Sequence, residues 1–190
     1  MIKLNFGCGW ECLDGWTNVD NTEKWQREQY PLSFMDVTQP WCYEDDSIDY
    51  IYSAHCIEHI PEKKNLFALK EAYRALKPGG VIRTVVPSRE FYESLGTNDG
   101  DPWVERYCRQ IWNRMPNLGD ARKIAQRGLY EQGHVWVPNG KMLVDQHLAA
   151  GFVDVKLVEY GVSEHEELNG IDQVDGLREY ESIVCEATKV

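Results

Sequence analysis

The chain has 190 residues, of which 43% are hydrophobic, enough apolar material for one well-packed domain and little for a second. Its formal net charge of −11 at pH 7 opposes non-specific binding to DNA or RNA, which depends on Lys and Arg neutralising phosphates. No run of about 18 apolar residues predicts a membrane span, and no basic-then-apolar leader is visible, so we expect a cytoplasmic protein without membrane contact.

Seven apolar runs predict the strands of an alternating α/β fold. They span residues 1–6, 16–19, 32–35, 48–54, 80–86, 153–160 and 182–188. The fifth is rich in Val and Ile, which is typical of a buried parallel strand. Strands that alternate with helices at this spacing indicate a mostly parallel sheet with helices on both faces. Ligands of such sheets bind beyond the carboxyl ends of the strands, where the strand order reverses.

Helices are predicted on either side of the fifth strand. Apolar residues at steps of three and four predict one helix from about residue 62, and the sequence PGG beginning at Pro78 should end it. The next helix begins after Asp101 as N-cap, with Pro102 in its first turn. Pro116 should stop that helix.

The later part of the chain is predicted to hold two more helices and one long connection. Asp120 is expected to cap a helix that reaches about residue 127. Another helix spans residues 140–150 and is closed by a glycine. The polar residues 163–179 are predicted to form a long surface connection.

Residues from about 98 to 132 add helices that the sheet does not require. We therefore expect a single domain of residues 1–190 with a helical insertion or lid at about 98–132. The insertion follows the fifth strand, where a lid over a substrate would belong. Its arginines could meet an anionic substrate or form a solvated charged face; they are Arg106, Arg109, Arg114, Arg122 and Arg127.

The stretch NFGCG places two glycines directly after the first strand. Gly7 and Gly9 would let a ligand approach the backbone, with N–H groups available to a polar or anionic tail. Asp20 ends the second strand, and its two carboxylate oxygens suit the two hydroxyls of a ribose. Asp36, just after the third strand, could accept a hydrogen bond from an adenine amino group. A glycine pair alone is also typical of a tight turn, so this interpretation depends on later motifs.

The later motifs add a cluster of titratable side chains, in SAHCIEHI at the end of the fourth strand, and the turn and fifth strand in LKPGGVIRTVVP. Taken in order, NFGCG, NVD, MDV, SAHCIEHI, LKPGGVIRTVVP and LAAGFVDVKL resemble the motifs of the class I S-adenosylmethionine-dependent methyltransferases, in particular the branch with the methyltransferase type 11 domain. The resemblance covers about residues 3–87 and 141–190.

This resemblance implies a Rossmann-like, seven-stranded sheet, and we expect its last strand to be antiparallel. It implies S-adenosyl-L-methionine as the cofactor and an enzyme that moves a methyl group to a small-molecule or saccharide-like acceptor. The residues implied to bind the cofactor are Asn5, Gly7, Cys8 and Gly9 in the first motif, Asp20 at the ribose, Asp36 and Val37 at the adenine edge, and Ser53 and His55 beside the sulfonium.

The sequence departs from the family pattern at two points. Asn5 stands where the family has an acidic residue, and Glu11 stands where it has a third glycine. Asp20 follows Gly9 too closely to leave room for a full crossover helix, which places the acidic residue about 20 positions on. We therefore expect a loop or a single helical turn over residues 10–15 and a reduced helix-dipole contribution to cofactor binding.

A general base would assist transfer to a hydroxyl acceptor, and the candidates by residue type and position are His55, Glu58 and His134. Each also has a structural interpretation. His55 could satisfy a backbone group at the strand end, Glu58 could serve a structural or cofactor-side role, and His134 could sit in a turn.

Metal binding is not expected from the sequence. Cys8 and Cys12 lack the third cysteine of a radical iron–sulfur signature, and His55, Cys56 and His59 lack a compact second pair of ligands. The six cysteines are those of a protein with scattered free thiols.

Two other functions remain open. A nicotinamide-dependent oxidoreductase also uses glycine pairs and strand-end acids, although the missing third glycine and first helix count against pyrophosphate binding. A non-catalytic cofactor-binding module would retain the fold without turnover, and the altered first motif and short crossover favour it.

Overall fold

The computed structural model describes residues 1–21, 32–95, 97–98, 101–112, 118–131, 133–172 and 178–190. The strands are β1 (Lys3–Phe6), β2 (Thr17–Asp20), β3 (Leu32–Phe34), β4 (Ile48–Ala54), β5 (Leu76–Pro87), β6 (Val153–Val158) and β7 (Ser182–Thr188). The helices are α1 (Glu62–Ala75), α2 (Arg89–Leu95), α3 (Pro102–Trp112), α4 (Leu118–Tyr130), α5 (Gly140–Ala150) and the short α6 (Arg178–Glu181), with a 3-10 turn at Ile57–His59. Within the described ranges, no helix combines the length and apolar character needed to cross a bilayer.

The seven strands form one sheet in the order β3-β2-β1-β4-β5-β7-β6. Neighbours from β3 to β5 are parallel, and β7 runs antiparallel to both β5 and β6. The predicted fold class is therefore confirmed, including the antiparallel last strand. The strand order reverses at β1, which pairs with β2 on one side and β4 on the other. The polar motifs at the ends of these strands are brought together at that point.

The main core lies between the sheet and the helices α1 and α5. Apolar side chains of β1, β4 and β5 meet Ala68, Leu69 and Ala72 of α1 and Leu143 of α5. On β5, apolar positions are buried on both faces of the sheet. This two-sided burial is the reason that β5 reads as a continuous apolar run in the sequence.

The connection from β1 to β2 is a loop, as the short spacing predicted. Asn18 of β2 organises it from inside, because its side chain accepts a hydrogen bond from the Leu13 N–H (2.8 Å) and donates to the Leu13 carbonyl (3.0 Å). The side chain of Asn5 donates to Oδ1 of Asn18 (2.9 Å) and to the Glu11 carbonyl (3.0 Å). The buried amide side chains of Asn5 and Asn18 therefore hold the β1–β2 connection in place, where a crossover helix is absent.

The largest differences from the predicted elements concern the end of α1, the start of α4 and the presence of α2. Helix α1 ends at Ala75 and β5 begins at Leu76, so the Pro78 turn lies inside the strand and does not end the helix. The pairing of β4 with β5 shifts register there. Helix α4 begins at Leu118, which places Asp120 in its first turn and not at its cap, and α2 was not predicted. Pro116 lies outside the described residues.

The helices α2, α3 and α4 share a small apolar cluster of their own. Its members include Tyr92, Leu95, Val104, Tyr107, Cys108, Ile124 and Ala125. The hydroxyls of Tyr92 and Tyr107 donate to the same carboxylate oxygen of Glu181, at the junction of α6 and β7. The predicted helical insertion therefore packs around its own core and is tied to the last strand.

The predicted surface connection at 163–179 is partly wrong. Leu168 and Asp172 are fully buried. Asp172 accepts hydrogen bonds from the guanidinium of Arg83 on β5, which also donates to Glu186 of β7 (2.6 Å). A buried charge in the sheet requires a buried partner, and the polar stretch supplies it.

His147 of α5 predicts a pH dependence of stability. It is fully buried, with Nε2 3.0 Å from Oγ1 of Thr84 and Nδ1 2.8 Å from the Leu143 carbonyl. Burial lowers the pKa of His147 from 6.5 to about 4. Below pH 6.5 this histidine binds a proton in the unfolded chain, whereas in the folded chain it stays neutral down to about pH 4. The free energy of unfolding therefore decreases as the pH falls from 6.5 toward 4.

We expect this histidine to remove about 2 kcal/mol from the free energy of unfolding between about pH 7.5 and pH 5. Urea unfolding of the parent and of His147→Gln at both pH values measures it. The variant should be less stable at neutral pH but should show a shallower pH dependence. Equal pH dependences in the two proteins would contradict the assignment.

Candidate functional site

A cleft of about 620 Å³ opens beyond the carboxyl ends of β1, β2 and β4, where the strand order reverses. This volume is typical of a site for a cofactor-sized molecule. The glycine turn after β1 and Asp20 at the end of β2 line the cleft. Asp36 and Val37 after β3, with His55 and Glu58 after β4, also line it. Four separate sequence motifs therefore meet at one wall.

The glycine turn is shaped by two different constraints. Gly7 and Gly9 both have positive φ angles, of 63° and 50°, which favour glycine. A Cβ on Gly7 would lie 2.1 Å from Sγ of Cys56, whereas a Cβ on Gly9 would meet nothing within 4 Å. Gly7 is therefore needed for the close packing of β1 against the end of β4, and Gly9 leaves open space toward the cleft.

These constraints predict different effects for two matched substitutions. Gly7→Ala adds both backbone strain and a clash with Cys56, so we expect it to destabilise the fold by about 3 kcal/mol or more. Gly9→Ala adds only the strain of the left-handed backbone, about 1–2 kcal/mol. Chemical unfolding of both variants tests the order, and an equal or larger loss in Gly9→Ala would contradict the packing role of Gly7.

Two aspartates hold the backbone of the cleft in place. Oδ2 of Asp20 accepts a hydrogen bond from the Gly9 N–H (2.9 Å), which joins the end of β2 to the glycine turn. Oδ1 of Asp36 accepts from the backbone N–H (2.9 Å) and the hydroxyl (2.7 Å) of Thr38. These hydrogen bonds lower the pKa of Asp36. Asp36 therefore stays negatively charged, and the part of the cleft beside it suits a cationic ligand.

The end of β4 carries two neighbouring titratable groups, the partly buried His55 and the fully buried Glu58. His55 has a positive φ of 48°, an uncommon value for a non-glycine residue. Its Nε2 lies 2.9 Å from Oγ of Ser182 and its Nδ1 lies 3.6 Å from Oε1 of Glu58. Burial lowers the pKa of His55 to about 3 and raises the pKa of Glu58 to about 8. Both groups are thereby driven toward their neutral forms.

Two further histidines stand beside Glu58. His59 follows it directly, and His134 comes from the segment after α4, with the two imidazole centroids 4.9 Å apart. Both line the cleft. Burial lowers the pKa of His134, which favours its neutral form. A cluster of three imidazoles and one carboxyl group therefore forms part of the cleft wall.

The structure brings most of the predicted site residues together. Those on the cleft wall are Gly7, Cys8, Gly9, Asp20, Asp36, Val37, His55, Glu58 and His134. Asn5 and Ser53 lie outside this wall, buried in β1 and β4. The amide of Asn5 is turned toward Asn18 and the β1–β2 loop, because that loop needs an internal donor in place of a helix.

Arg178 was missed by the sequence reasoning. It begins α6, lines the cleft, and its guanidinium lies 2.9 Å from Oε1 of Glu11 in the β1–β2 loop. An isolated arginine after a polar stretch carries no sequence signal for such a role. The predicted arginines at 109 and 127 pair instead with Glu105 and Glu131 on exposed helix faces, and Arg114 lies outside the described residues.

The cleft fits the cofactor that the motifs imply. A nucleoside with a charged sulfur requires backbone access, a ribose acceptor and little positive charge nearby. The open space at Gly9, the carboxylate of Asp20 and the acidic side chains of the wall meet these requirements, and the charge of Arg178 is offset by its ion pair with Glu11. The residues present are therefore compatible with S-adenosylmethionine.

Comparison with known sequences agrees with this geometry. Residues 12–84 match the family described as a methyltransferase domain. Over 105 residues, 55% of this chain, the sequence is 43% identical to phosphoethanolamine N-methyltransferase 2 of Caenorhabditis elegans. The chain spans only 22% of that relative's length.

Solved structures share the whole fold at low identity. An S-adenosylmethionine-dependent methyltransferase from Archaeoglobus fulgidus superposes with a TM-score of 0.60 and 16% identity, covering 98% of this chain and 85% of that one. A putative enzyme of the same description from Listeria monocytogenes gives a TM-score of 0.59 and 15% identity, covering 100% and 91%. The resemblance to the class I S-adenosylmethionine-dependent methyltransferases is confirmed, and with it the Rossmann-like fold.

Proposed function

We propose that this chain, with the Rossmann-like fold and domain match of the class I S-adenosylmethionine-dependent methyltransferases, transfers a methyl group to a small polar acceptor. The observation that carries the proposal is the cleft at the reversal of strand order, where the glycine turn and Asp20 are joined by a hydrogen bond. The same cleft holds three imidazoles and a carboxyl group, which are suited to an acceptor and not to the cofactor alone.

Cofactor binding is assigned to the glycine turn and the two aspartates. Gly7 and Gly9 would let the methionine part lie against the backbone of the turn, and Asp20 would accept from the ribose hydroxyls. Asp36 and Val37 would border the adenine. Asn5 supports these residues indirectly, because its hydrogen bonds shape the loop that carries the turn.

When bound, the cofactor supplies a methyl group that is already electrophilic because it is attached to a positively charged sulfur. The chain's own tasks are to align the acceptor and to keep water away. His55, Glu58 and His134 are the side chains that we assign to orienting the acceptor, and His55, whose imidazole is neutral, is the one that we assign to receiving its proton. The insertion at about 98–132 would belong to the same domain as the cleft, because it is followed directly by His134, which lines the cleft.

Phosphoethanolamine is the first acceptor to test. The relative that is 43% identical over 105 residues is named for this substrate. A small acceptor with an anionic group could be met by Arg178 and the histidines of the cleft. A saccharide-like acceptor remains the second choice, because its hydroxyls could be met by the same polar side chains.

Calorimetric titration with S-adenosylhomocysteine and with NADH tests the cofactor. We expect saturable binding of the first and none of the second, and the reverse result would support a nicotinamide-dependent oxidoreductase. Transfer of labelled methyl groups to phosphoethanolamine, ethanolamine and a panel of sugars then tests the acceptor. Cofactor binding without transfer to any acceptor would favour a non-catalytic module.

A further inference from the structure

Glu58 is buried in an arrangement that offers its carboxyl group no hydrogen-bond partner among the described residues. Its side chain is 0% exposed, and among the described residues neither carboxylate oxygen has a hydrogen-bond partner. Burying a carboxylate in this way is costly unless it is protonated or paired with a cation. The contacts around it decide which of the two applies.

Two imidazoles present a ring nitrogen beside this carboxylate. Nδ1 of His59 lies 3.0 Å from the Gly133 carbonyl, and Nδ1 of His134 is hydrogen-bonded to the Gly128 carbonyl. Since a carbonyl only accepts, each Nδ1 carries the proton and each Nε2 keeps its lone pair in the neutral ring. Metal-binding histidines are oriented in this way, with the second nitrogen donating to a carbonyl.

We propose that Glu58, His59 and His134 form a binding site for a divalent first-row transition metal ion such as Zn²⁺. One ligand atom from each residue lies within 4.8 Å of the others, and Nε2 of His59 is 3.8 Å from Oε1 of Glu58. Ligand atoms around a tetrahedral ion with bonds of about 2.1 Å are about 3.4 Å apart. Small side-chain rotations therefore bring the three atoms to coordinating positions.

The donor set favours this class of ion. Two imidazole nitrogens and one carboxylate oxygen suit zinc, iron or cobalt, whereas magnesium and calcium prefer oxygen alone. His55 stands on the other side of Glu58, with Nδ1 3.6 Å from the same carboxylate oxygen, where it would orient the ligand and not bind the ion. Because all three ligands line the cleft, the ion's remaining positions would be open to an oxygen or nitrogen of a small molecule.

This site was not expected from the sequence, where His59 was grouped with His55 and Cys56. His134 is far away along the chain and reaches the cluster only because the segment after α4 pairs its backbone with the 3-10 turn, through the Val135 N–H and the Glu58 carbonyl (2.8 Å). The proposal does not depend on methyl transfer, and its test contains no methyl donor.

The untagged 190-residue chain, stripped with a chelator and dialysed, is titrated with Zn²⁺ by calorimetry and with Co²⁺ by visible absorption. We expect one equivalent to bind, with Co²⁺ ligand-field bands typical of nitrogen and oxygen ligands and no thiolate charge-transfer band. His59→Gln and Glu58→Gln should each weaken Zn²⁺ binding at least tenfold. Glu58→Gln should not destabilise the metal-free protein, because it replaces a buried carboxyl group that has no hydrogen-bond partner among the described residues by a neutral amide of the same size.

The matched control is His165→Gln, at a histidine that packs beside Tyr50 away from the cleft; its Zn²⁺ affinity should equal that of the parent. Cys12→Ser serves as a second control, because Sγ of Cys8 and Cys12 lie 3.9 Å apart and could bind a metal themselves. Absence of saturable binding, or binding that survives His59→Gln but is lost in Cys12→Ser, overturns the proposal.

Discussion

Replacing Arg83 by methionine is expected to lower the free energy of unfolding by about 3–5 kcal/mol, as for other buried ion pairs that lose one partner. The guanidinium is fully buried and donates to Asp172, to Glu186 and to the carbonyls of Val162 (3.0 Å) and Glu159 (3.2 Å). Methionine fills much of the volume but leaves two buried carboxylates without a cation. Urea unfolding at neutral pH measures the loss.

Two comparison variants separate the charge effect from packing. Arg109→Met removes an arginine from the exposed pair with Glu105 and should change stability by less than about 1 kcal/mol. Adding Asp172→Asn and Glu186→Gln to Arg83→Met removes the stranded charges and should restore part of the stability. If the triple variant were less stable than Arg83→Met alone, the stranded charges would not be the cause.

Asp20→Asn is expected to weaken binding of S-adenosylhomocysteine by about 10- to 100-fold, because hydrogen bonds to a charged acceptor contribute about 1.5–3 kcal/mol. Asparagine keeps an oxygen that can accept from the Gly9 N–H, so the glycine turn should survive. The loss would then report the carboxylate's role toward the ribose and not a collapse of the cleft. Calorimetric titration measures it.

Asp14→Asn is the matched control, since it removes the same charge from an exposed position in the β1–β2 loop. Its affinity for S-adenosylhomocysteine should remain within about twofold of the parent if the effect of Asp20 is local and not a change in net charge. Unchanged affinity in Asp20→Asn would remove the central assignment of the cofactor site.

The parts of the site that could be predicted from the sequence are those fixed by local chemistry. Positive φ angles at Gly7 and Gly9 favour glycine, and strand ends place Asp20 and Asp36 beside them. The short interval before Asp20 correctly excluded a crossover helix. Each of these features depends on neighbours within one β-strand and the turn that follows it.

The parts that could not be predicted depend on contacts between distant segments. Nothing local indicates that Asp172 enters the core, because its partner is Arg83 on a strand far earlier in the chain. The same holds for His134, which joins Glu58 through backbone pairing of a loop with the 3-10 turn. Sequence periodicity reports which face of an element is buried, and it carries no information on which charged groups meet.

The place of β7 in the sheet has a consequence during protein synthesis. It lies between β5 and β6, and Ser182 at its start is hydrogen-bonded to His55. A ribosome adds about 5–20 residues per second, so the apolar edge of β5 stays unpaired for roughly five to twenty seconds after Pro87 emerges. In that interval the nascent chain exposes an unpaired strand edge that can pair with other chains. Only translation through residue 188 supplies β7, which covers this edge and completes the cleft.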